Sequence, residues 1–339
     1  MFKRRVQAIG DTFIISIPKE WARLHNLKRQ DEVLLETLPD LSLMIIPPSK
    51  STKQVRTHSI ELELVGDLKY DLMNAISRYL VGYDEFYLKA NLANQDYLKL
   101  FIKELTSKVL GLEIVSFEES SAVVKNVAGD FSLNVNEVVE RLFKILDSTM
   151  RDLLAAIKSE NPSESKLAEL VEKDGLADKL TMYSLRVLNK ILLGEYLPRE
   201  YGFSSFLEAN ITHDVLRDLE RSIDHIAYIA QSMLGSQMKF ADEDRALVIS
   251  HFEKLIEFSS VVRGAVEEFQ HEQVHTVISA KYNELMSIEG EYANAIKKNP
   301  NMHLMLDNLR RVKAYLFDIV ELMMDKSATL TKVPGASKK

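Results

Sequence analysis

The first 48 residues alternate short apolar runs with strong turn signals, and this pattern constrains the fold most. Gly10-Asp11 marks a turn, the β-branched run 13–17 follows it, and Pro18 ends that run. Because proline suits the first turn of a helix, we predict a short helix over residues 19–26. Two further short strands complete the segment. About fifty residues with four short strands and one helical turn cannot bury a core alone, so this segment needs a second copy.

The charge of the chain is distributed unevenly. Residues 1–29 hold seven basic side chains against two acidic ones, whereas the whole chain has a net charge of −7. This asymmetry predicts an anion-binding N-terminal segment on an acidic body, with DNA affinity that falls as salt rises. The alternative is that the basic charge merely solubilises a dimerisation domain. The side chains predicted to contact DNA are Lys3, Arg4, Arg5, Lys19 and Arg23.

Residues 3–48 resemble the swapped-hairpin DNA-binding domain of the AbrB/MazE/SpoVT family. The motifs that carry the resemblance are Gly10, Ile17-Pro18-Lys19-Glu20, Leu27, Asp31-Glu32-Val33 and the strand 43–47. Gln30 stands where the family usually has glycine before the aspartate, so we expect a different turn type there. The resemblance implies a domain over residues 1–48 that forms half of an interleaved, homodimeric β-barrel. Its first hairpin would present basic side chains to DNA.

Several classes of protein are excluded by what the sequence lacks. There is no cysteine, so neither disulfides nor thiolate chemistry is available, which suits a reducing interior. No apolar run reaches the length of a membrane helix, and the N-terminus has no apolar signal core. Serine-hydrolase and P-loop signatures are also missing. We therefore expect a soluble cytoplasmic protein that is not an enzyme and does not insert into a membrane.

A small α+β domain is predicted over residues 55–128, after a linker rich in proline, serine and lysine. Alternation and helical periodicity place its elements in a mixed order. The predicted strands are 55–65, 86–88, 112–117 and 122–127, and the predicted helices are 67–80 and 95–109. No glycine-rich phosphate loop or convergent polar cluster is present, so the sequence assigns this domain no function.

From about residue 134 the chain reads as two successive three-helix units, one over residues 134–235 and one over 241–326. The predicted helices are 135–158, 166–193, 205–234, 242–268, 273–296 and 302–324. Residues 327–339, with proline, glycine and lysines, are predicted to be a disordered tail. The fold class is therefore multidomain, with hairpins first, a mixed α+β domain next and an all-α region last.

Two pairs of carboxylates in the first helical unit are the candidate metal ligands. Asp174 and Asp178 are spaced i, i+4 within an apolar helical stripe, and Glu220 and Asp224 repeat that spacing on the next helix. Carboxylates in an apolar stripe are costly unless they are paired or bind a metal, so a metal ion, iron or zinc, is expected here. The alternative is a set of solvated salt bridges to Arg217 and Arg221.

Residues 134–326 resemble PhoU, the phosphate-uptake regulator, whose three-helix repeats carry paired metal-binding motifs. The segment 218–227, which contains Glu220-Arg221 and Asp224, is the most specific part of the resemblance. Together with the N-terminal domain, the arrangement resembles archaeal PhoU-like regulators. The second repeat departs from the motif, because the corresponding positions hold Ala280, Glu284, Arg310 and Ala314. A second metal cluster is therefore not expected.

Three functions follow from these patterns. The leading one is a regulator of phosphate uptake that binds DNA through an N-terminal homodimer and a metal through the first repeat. The alternative is an adaptor that does not bind DNA and acts on a phosphate transporter or its signalling partner. The remote alternative is a zinc hydrolase, because His271-Glu272-x-x-His275 formally matches H-E-x-x-H, with Glu289 or Glu291 as a third ligand.

Overall fold

The computed structural model divides the chain into two compact units, residues 1–56 and residues 57–339. It describes residues 3–37, 41–47, 57–90, 95–129, 133–159, 162–234, 242–267, 271–299 and 302–330. Pro39-Asp40, the turn that we predict between the two further strands of the N-terminal segment, and most of the predicted linker lie outside this range. Within it, the helices are all too short or too polar to cross a membrane.

The N-terminal unit consists of two hairpins with a short helix between them. Its elements are β1 (Gln7–Ile9), β2 (Thr12–Ile14), α1 (Lys19–Leu24), β3 (Leu34–Thr37) and β4 (Leu43–Ile46). β1 pairs antiparallel with β2, and β3 pairs antiparallel with β4. Gly10 has a φ of 58°, which lets the first hairpin turn tightly.

In a single copy of the chain, the described residues of this unit form no buried core. Every residue of the unit whose exposure is described is at least partly exposed. Phe13 and Leu41 are 77% and 86% exposed. A folded unit that leaves its large apolar side chains in water needs a partner surface. The coarse prediction of small N-terminal strand hairpins is confirmed, and the swapped barrel and its dimer stay predictions.

The backbone at Gln30 is left-handed, and a turn type different from the family's stays a prediction. Gln30 has a φ of 70°, in the region that glycine adopts most readily. The turn is held by the Asp31 carboxylate, which accepts a hydrogen bond from the backbone N–H of Lys28 at 2.9 Å. Glutamine therefore adopts a left-handed backbone conformation here at a steric cost.

The α+β region follows as one mixed sheet with helices on one face. Its elements are β5 (Ser59–Glu63), α2 (Leu68–Leu80), β6 (Glu85–Lys89), α3 (Gln95–Lys108), β7 (Leu112–Phe117) and β8 (Ser121–Asn126). The strand order is β5-β6-β8-β7, with β5 and β6 parallel and the other pairs antiparallel. Alternate strand residues such as Phe86, Leu88 and Val124 are buried against α2 and α3.

The rest of the described chain is mostly helical, as predicted. Its helices are α4 (Val135–Lys158), α5 (Glu164–Leu192), α6 (Phe206–Met233), α7 (Asp242–Glu267), α8 (His271–Lys298) and α9 (Met302–Leu330). Buried side chains from all of them form one continuous hydrophobic core. α9 takes in residues 327–330, which the sequence pattern assigned to the disordered tail, and residues 331–339 lie outside the described range.

A buried arginine joins the α+β region to the helices. Arg186 on α5 is fully buried and donates hydrogen bonds to the carbonyl oxygens of Tyr79 and Tyr83, both at 2.7 Å, and of Gly82 at 3.3 Å. Its guanidinium also bonds the Asp84 carboxylate. These carbonyls lie at and beyond the C-terminal end of α2, where a helix lacks internal partners, so Arg186 caps that end.

We predict that Arg186→Met lowers the free energy of unfolding by about 3 kcal/mol or more. The substitution leaves buried carbonyls and a carboxylate without their donor, which costs more than an exposed ion pair is worth. Urea denaturation followed by circular dichroism measures the change. Arg151→Met is the control, because Arg151 forms an exposed i, i+4 pair with Asp147 and should cost less than about 0.5 kcal/mol. Equal losses in the two variants would contradict the capping role.

Candidate metal centre and nucleic-acid interface

The packing of α5 against α6 brings the candidate carboxylates together. α5 buries Leu167 and Leu185 on the stripe that also carries Asp174 and Asp178. α6 starts at the N-cap Ser205, whose side chain accepts a hydrogen bond from the Glu208 backbone N–H. The two long helices are in extensive contact, so side chains on their facing surfaces meet at the first helical unit.

Asp174, Asp178 and Asp224 form a compact group of oxygen atoms. Each residue offers one carboxylate oxygen, and these atoms all lie within 4.8 Å of one another. Asp174 and Asp178 are half-buried and Asp224 is exposed. The Asp174 Oδ1 atom is buried and has no hydrogen-bond partner within the described part of the chain. Clustered hard oxygens with an unsatisfied buried acceptor suit a cation. Three of the four predicted ligands lie in this group, and metal binding itself stays a prediction.

The pKa values show how strongly these groups disfavour a shared negative charge. Burial first, and then the charges of Asp224 and Asp178, raise the pKa of Asp174 to about 8. Burial and the charges of Asp224 and Asp178 raise the pKa of Glu220 to about 7. Burial and Asp224 also raise the pKa of Asp178. Glu220 therefore belongs to the same electrostatic cluster, although it is not one of the three groups with oxygens in close contact.

The two arginines of the salt-bridge alternative do not offset the charge of these carboxylates. Arg221 donates to Asp218 at 3.5 Å. Arg221 and Arg217 lower the pKa of Glu220, but burial and the neighbouring carboxylates outweigh them. The cluster therefore retains raised pKa values, because burial and mutual repulsion disfavour its negative charge.

We predict that Asp174→Asn raises the stability of metal-free protein above pH 7. A carboxyl whose folded pKa is raised from 3.8 to about 8 destabilises the fold progressively as pH rises through that window. At pH 8 the variant should be more stable by about 2 kcal/mol, and the gap should close near pH 4. Denaturation in chelator at several pH values measures this.

The matched control is Glu169→Gln, an exposed carboxylate on the same helix that lies away from the cluster. It should show no comparable pH dependence. A gap between Asp174→Asn and wild type that does not change between pH 4 and pH 8 would contradict the electrostatic account.

The second helical unit replaces the metal motif with internal ion pairs. Glu284 lies 3.2 Å from Lys254, and Arg310 lies 2.9 Å from Asp307. Deeper in the unit, the Nζ atom of Lys313 is 2.6 Å from a carboxylate oxygen of Glu289. The two groups form an ion pair, but their angles do not meet those of a hydrogen bond. Ala314 lines a surface groove, and the Ala280 side chain lies outside the described range.

The H-E-x-x-H motif gains no support from the described residues. His271-Glu272-x-x-His275 lies in the first turns of α8, but its side chains are outside the described range. Of the third ligands considered, Glu289 is engaged with Lys313. Glu291 is exposed. The zinc-hydrolase alternative stays a prediction.

The basic side chains predicted to contact DNA all lie on the surface of the N-terminal unit. Lys3, Arg4 and Arg5 lie two to four residues before β1, and each is exposed. Lys19 and Arg23 are one helical turn apart on α1, are exposed, and share a face of that helix. This arrangement suits contact with phosphates, and the contact itself stays a prediction.

A cation near the carboxylates was missed at the sequence level. Lys108, in the last turn of α3, lowers the pKa of Asp178. The two residues are 70 positions apart, and neither belongs to a motif that includes the other. Their proximity follows from the packing of the α+β region on α5, for which the sequence carries no local signal.

Comparison with known proteins supports the reading of the N-terminal unit. Residues 6–53 match the family described as antidote-toxin recognition MazE, bacterial antitoxin. The N-terminal domain is therefore of the MazE/AbrB type, which in general terms favours a DNA-binding regulator. No curated protein matches the chain, and no solved structure matches it either.

Proposed function

We propose that the protein is a DNA-binding regulator whose helical region binds a metal ion. The observation that carries the proposal is the convergence of Asp174, Asp178 and Asp224 in a chain whose N-terminal domain is of the MazE/AbrB type. Exposed basic side chains on that domain would bind phosphates and release counterions. The homodimer supplies the core that one N-terminal unit lacks, and presents two copies of the basic surface to the duplex.

In the helical region, Asp174, Asp178, Asp224 and Glu220 would hold the metal. A bound cation such as iron or zinc neutralises the charge that makes this cluster unfavourable, and so ties α5 to α6. The residues themselves supply oxygen donors from two adjacent helices, and the Asp174 Oδ1 atom gains the partner that it lacks. The metal is therefore proposed as a stabilising and sensing element and not as a catalyst.

The pathway we propose is the control of phosphate uptake. Its support is the resemblance of residues 134–326 to PhoU, with which the observed run of helices α4–α9 is compatible. The adaptor alternative, in which the protein acts on a phosphate transporter or its signalling partner, uses the same helices without DNA. Exposed basic side chains on a MazE-type domain favour the DNA-binding form of the proposal.

We predict that replacing Arg4 and Arg5 together with alanine weakens DNA binding. Loss of two phosphate contacts should flatten the plot of log affinity against log salt by about 1 to 2 units. Fluorescence anisotropy with a duplex from upstream of the protein's own gene measures both effects, and light scattering checks that the oligomeric state is unchanged.

The control replaces Lys297 and Lys298, at the end of α8, with alanine, because it removes the same charge from another surface. That variant should bind DNA like the wild type. If the two double variants lose affinity equally, the N-terminal basic surface is not the DNA interface. If the wild type binds no DNA, the DNA-binding proposal is wrong and the adaptor alternative is favoured.

We predict that protein purified without chelators contains a bound metal and that Asp178→Asn removes most of it. Removing one carboxylate deletes a ligand but also relieves like-charge repulsion, so the variant should remain folded. Elemental analysis measures the content, and added metal should raise the melting temperature of the wild type but not that of Asp178→Asn. Asp152→Asn is the control, because Asp152 pairs with Lys173 at 2.6 Å. Equal metal content in the Asp178 and Asp152 variants would contradict the proposed site.

A further inference from the structure

An open groove on the surface of α9 is lined by two arginines, an alanine and an aromatic ring. Arg310, Arg311, Ala314 and Tyr315 form the described part of its wall, and its volume is about 280 Å³. These residues are spaced i, i+1, i+4 and i+5, so they lie on one side of the helix. Both arginines are exposed, so the groove is accessible to a small ligand from solvent.

Asp307 holds the two guanidinium groups side by side. One of its carboxylate oxygens accepts a hydrogen bond from Arg310 at 2.9 Å, and the other accepts one from Arg311 at 3.1 Å. Each guanidinium has five N–H donors, and these bonds use one donor from each. Two positive charges therefore share one negative charge, and this stretch of α9 retains both a net positive charge and donors for a further acceptor.

The groove has a counterpart in the first helical unit. Arg310 and Ala314 occupy the positions that correspond to Glu220 and Asp224, two of the candidate metal ligands. α6 therefore carries two carboxylates where α9 carries a guanidinium and a methyl group. Since the charge at these positions is opposite in sign in the two units, the ligands that they attract should also be opposite in charge.

Side chains of α6 restrict the kind of ligand that fits. The ring of His225 stacks on that of Tyr315 with the centroids 5.7 Å apart, and the guanidinium of Arg221 lies over the Tyr315 ring at 5.7 Å from its centroid. A planar ligand such as a nucleobase would compete with both contacts. Arg221 also lies 3.5 Å from Asp218, and it opposes the burial that raises the pKa of Asp318. Its charge therefore acts on these two aspartates, and the two arginines of α9 remain for a small anion.

We propose that this groove binds a tetrahedral oxyanion, either inorganic phosphate or a phosphate monoester. A guanidinium presents parallel N–H donors that match two oxygens of a phosphate group, and a second guanidinium beside it can contact the oxygens that remain. The net positive charge favours a dianion. The binding itself does not depend on the proposed function. Its use as a sensor of the anion whose uptake the protein would control does rest on that function.

The test is calorimetric titration of inorganic phosphate, and separately of glycerol phosphate, into the full chain in the presence of a chelator. The chelator excludes phosphate that a metal at the carboxylate cluster would hold. At least one probe should bind the wild type with a dissociation constant of about 1 mM or tighter, and the tighter probe identifies the source of the phosphate group.

Arg310→Gln and Arg311→Gln should each weaken the binding about tenfold, because each removes charged donors. The matched control is Arg263→Gln, since Arg263 on α7 also forms an i, i+4 pair, at 2.8 Å from Glu267. It should change the affinity less than about twofold.

A second pair of variants keeps both arginines. Ala314→Asp introduces the carboxylate that the first unit has at this position, and it should also weaken binding about tenfold. Ala314→Asn adds a side chain of the same size without the charge and should weaken binding less. Glycerol phosphate loses one of its two negative charges below about pH 6, so its binding should weaken as the pH falls through that value.

The outcomes separate the groove from the other proposed sites. Binding of neither probe, or equal affinities in the Arg310, Arg311 and Arg263 variants, would mean that the arginines form surface ion pairs only and would overturn the proposal. Phosphate binding that requires added metal would overturn it too, because the anion would then lie at the carboxylate cluster. Phosphate binding as predicted by a chain that has no affinity for DNA would support the groove and contradict the proposed function instead.

Discussion

Desolvating a guanidinium costs several kcal/mol, and it is tolerated when each of its donors finds an acceptor. Arg186 meets that condition by placing its donors against the end of α2 and against Asp84, so the α+β region and α5 have one relative arrangement and not a range of them. Asn189, nearly one turn further along, donates to the Leu80 carbonyl at 3.0 Å and adds to the same cap. The position of α5 follows from this junction.

The carboxylate cluster depends on that position. α5 is continuous from Glu164 to Leu192, so Asp178 lies about 12 Å along the helix axis from Arg186. The same stripe of the helix carries the buried apolar side chains and the acidic ones. Burial of the apolar side chains between α5 and α6 therefore forces the acidic side chains together. Packing supplies the free energy that holds like charges near one another, and a cation or a proton relieves the resulting repulsion.

Much of this architecture could be predicted from local pattern. The bounds of α4 and β7 match the predicted ones, because apolar periodicity and turn residues at their ends leave little choice. The spacing of Asp174 and Asp178 also predicted their shared face. The Arg186 cap and the approach of Lys108 could not be predicted, because they depend on contacts distant in sequence. The left-handed Gln30 could not be predicted for a local reason, because glutamine rarely adopts that backbone conformation. The chain tolerates that strain because the surrounding turn over-determines it.

The two halves of the helical region balance their interior charge by different means. Around Glu289 the positive charge is the ammonium of Lys313, which is covalently part of the chain and sits over the ring of Tyr282 at 5.1 Å. The described residues place no such ion pair on Asp174, and under the proposed metal site a bound cation would supply the counter-charge there. On that proposal the first half would take up a cation from its surroundings, whereas the second half would need none. Loss of the cation would then act on α5 and α6 and leave α8 and α9 unchanged, so one half of the helical region would serve as a reference for the other.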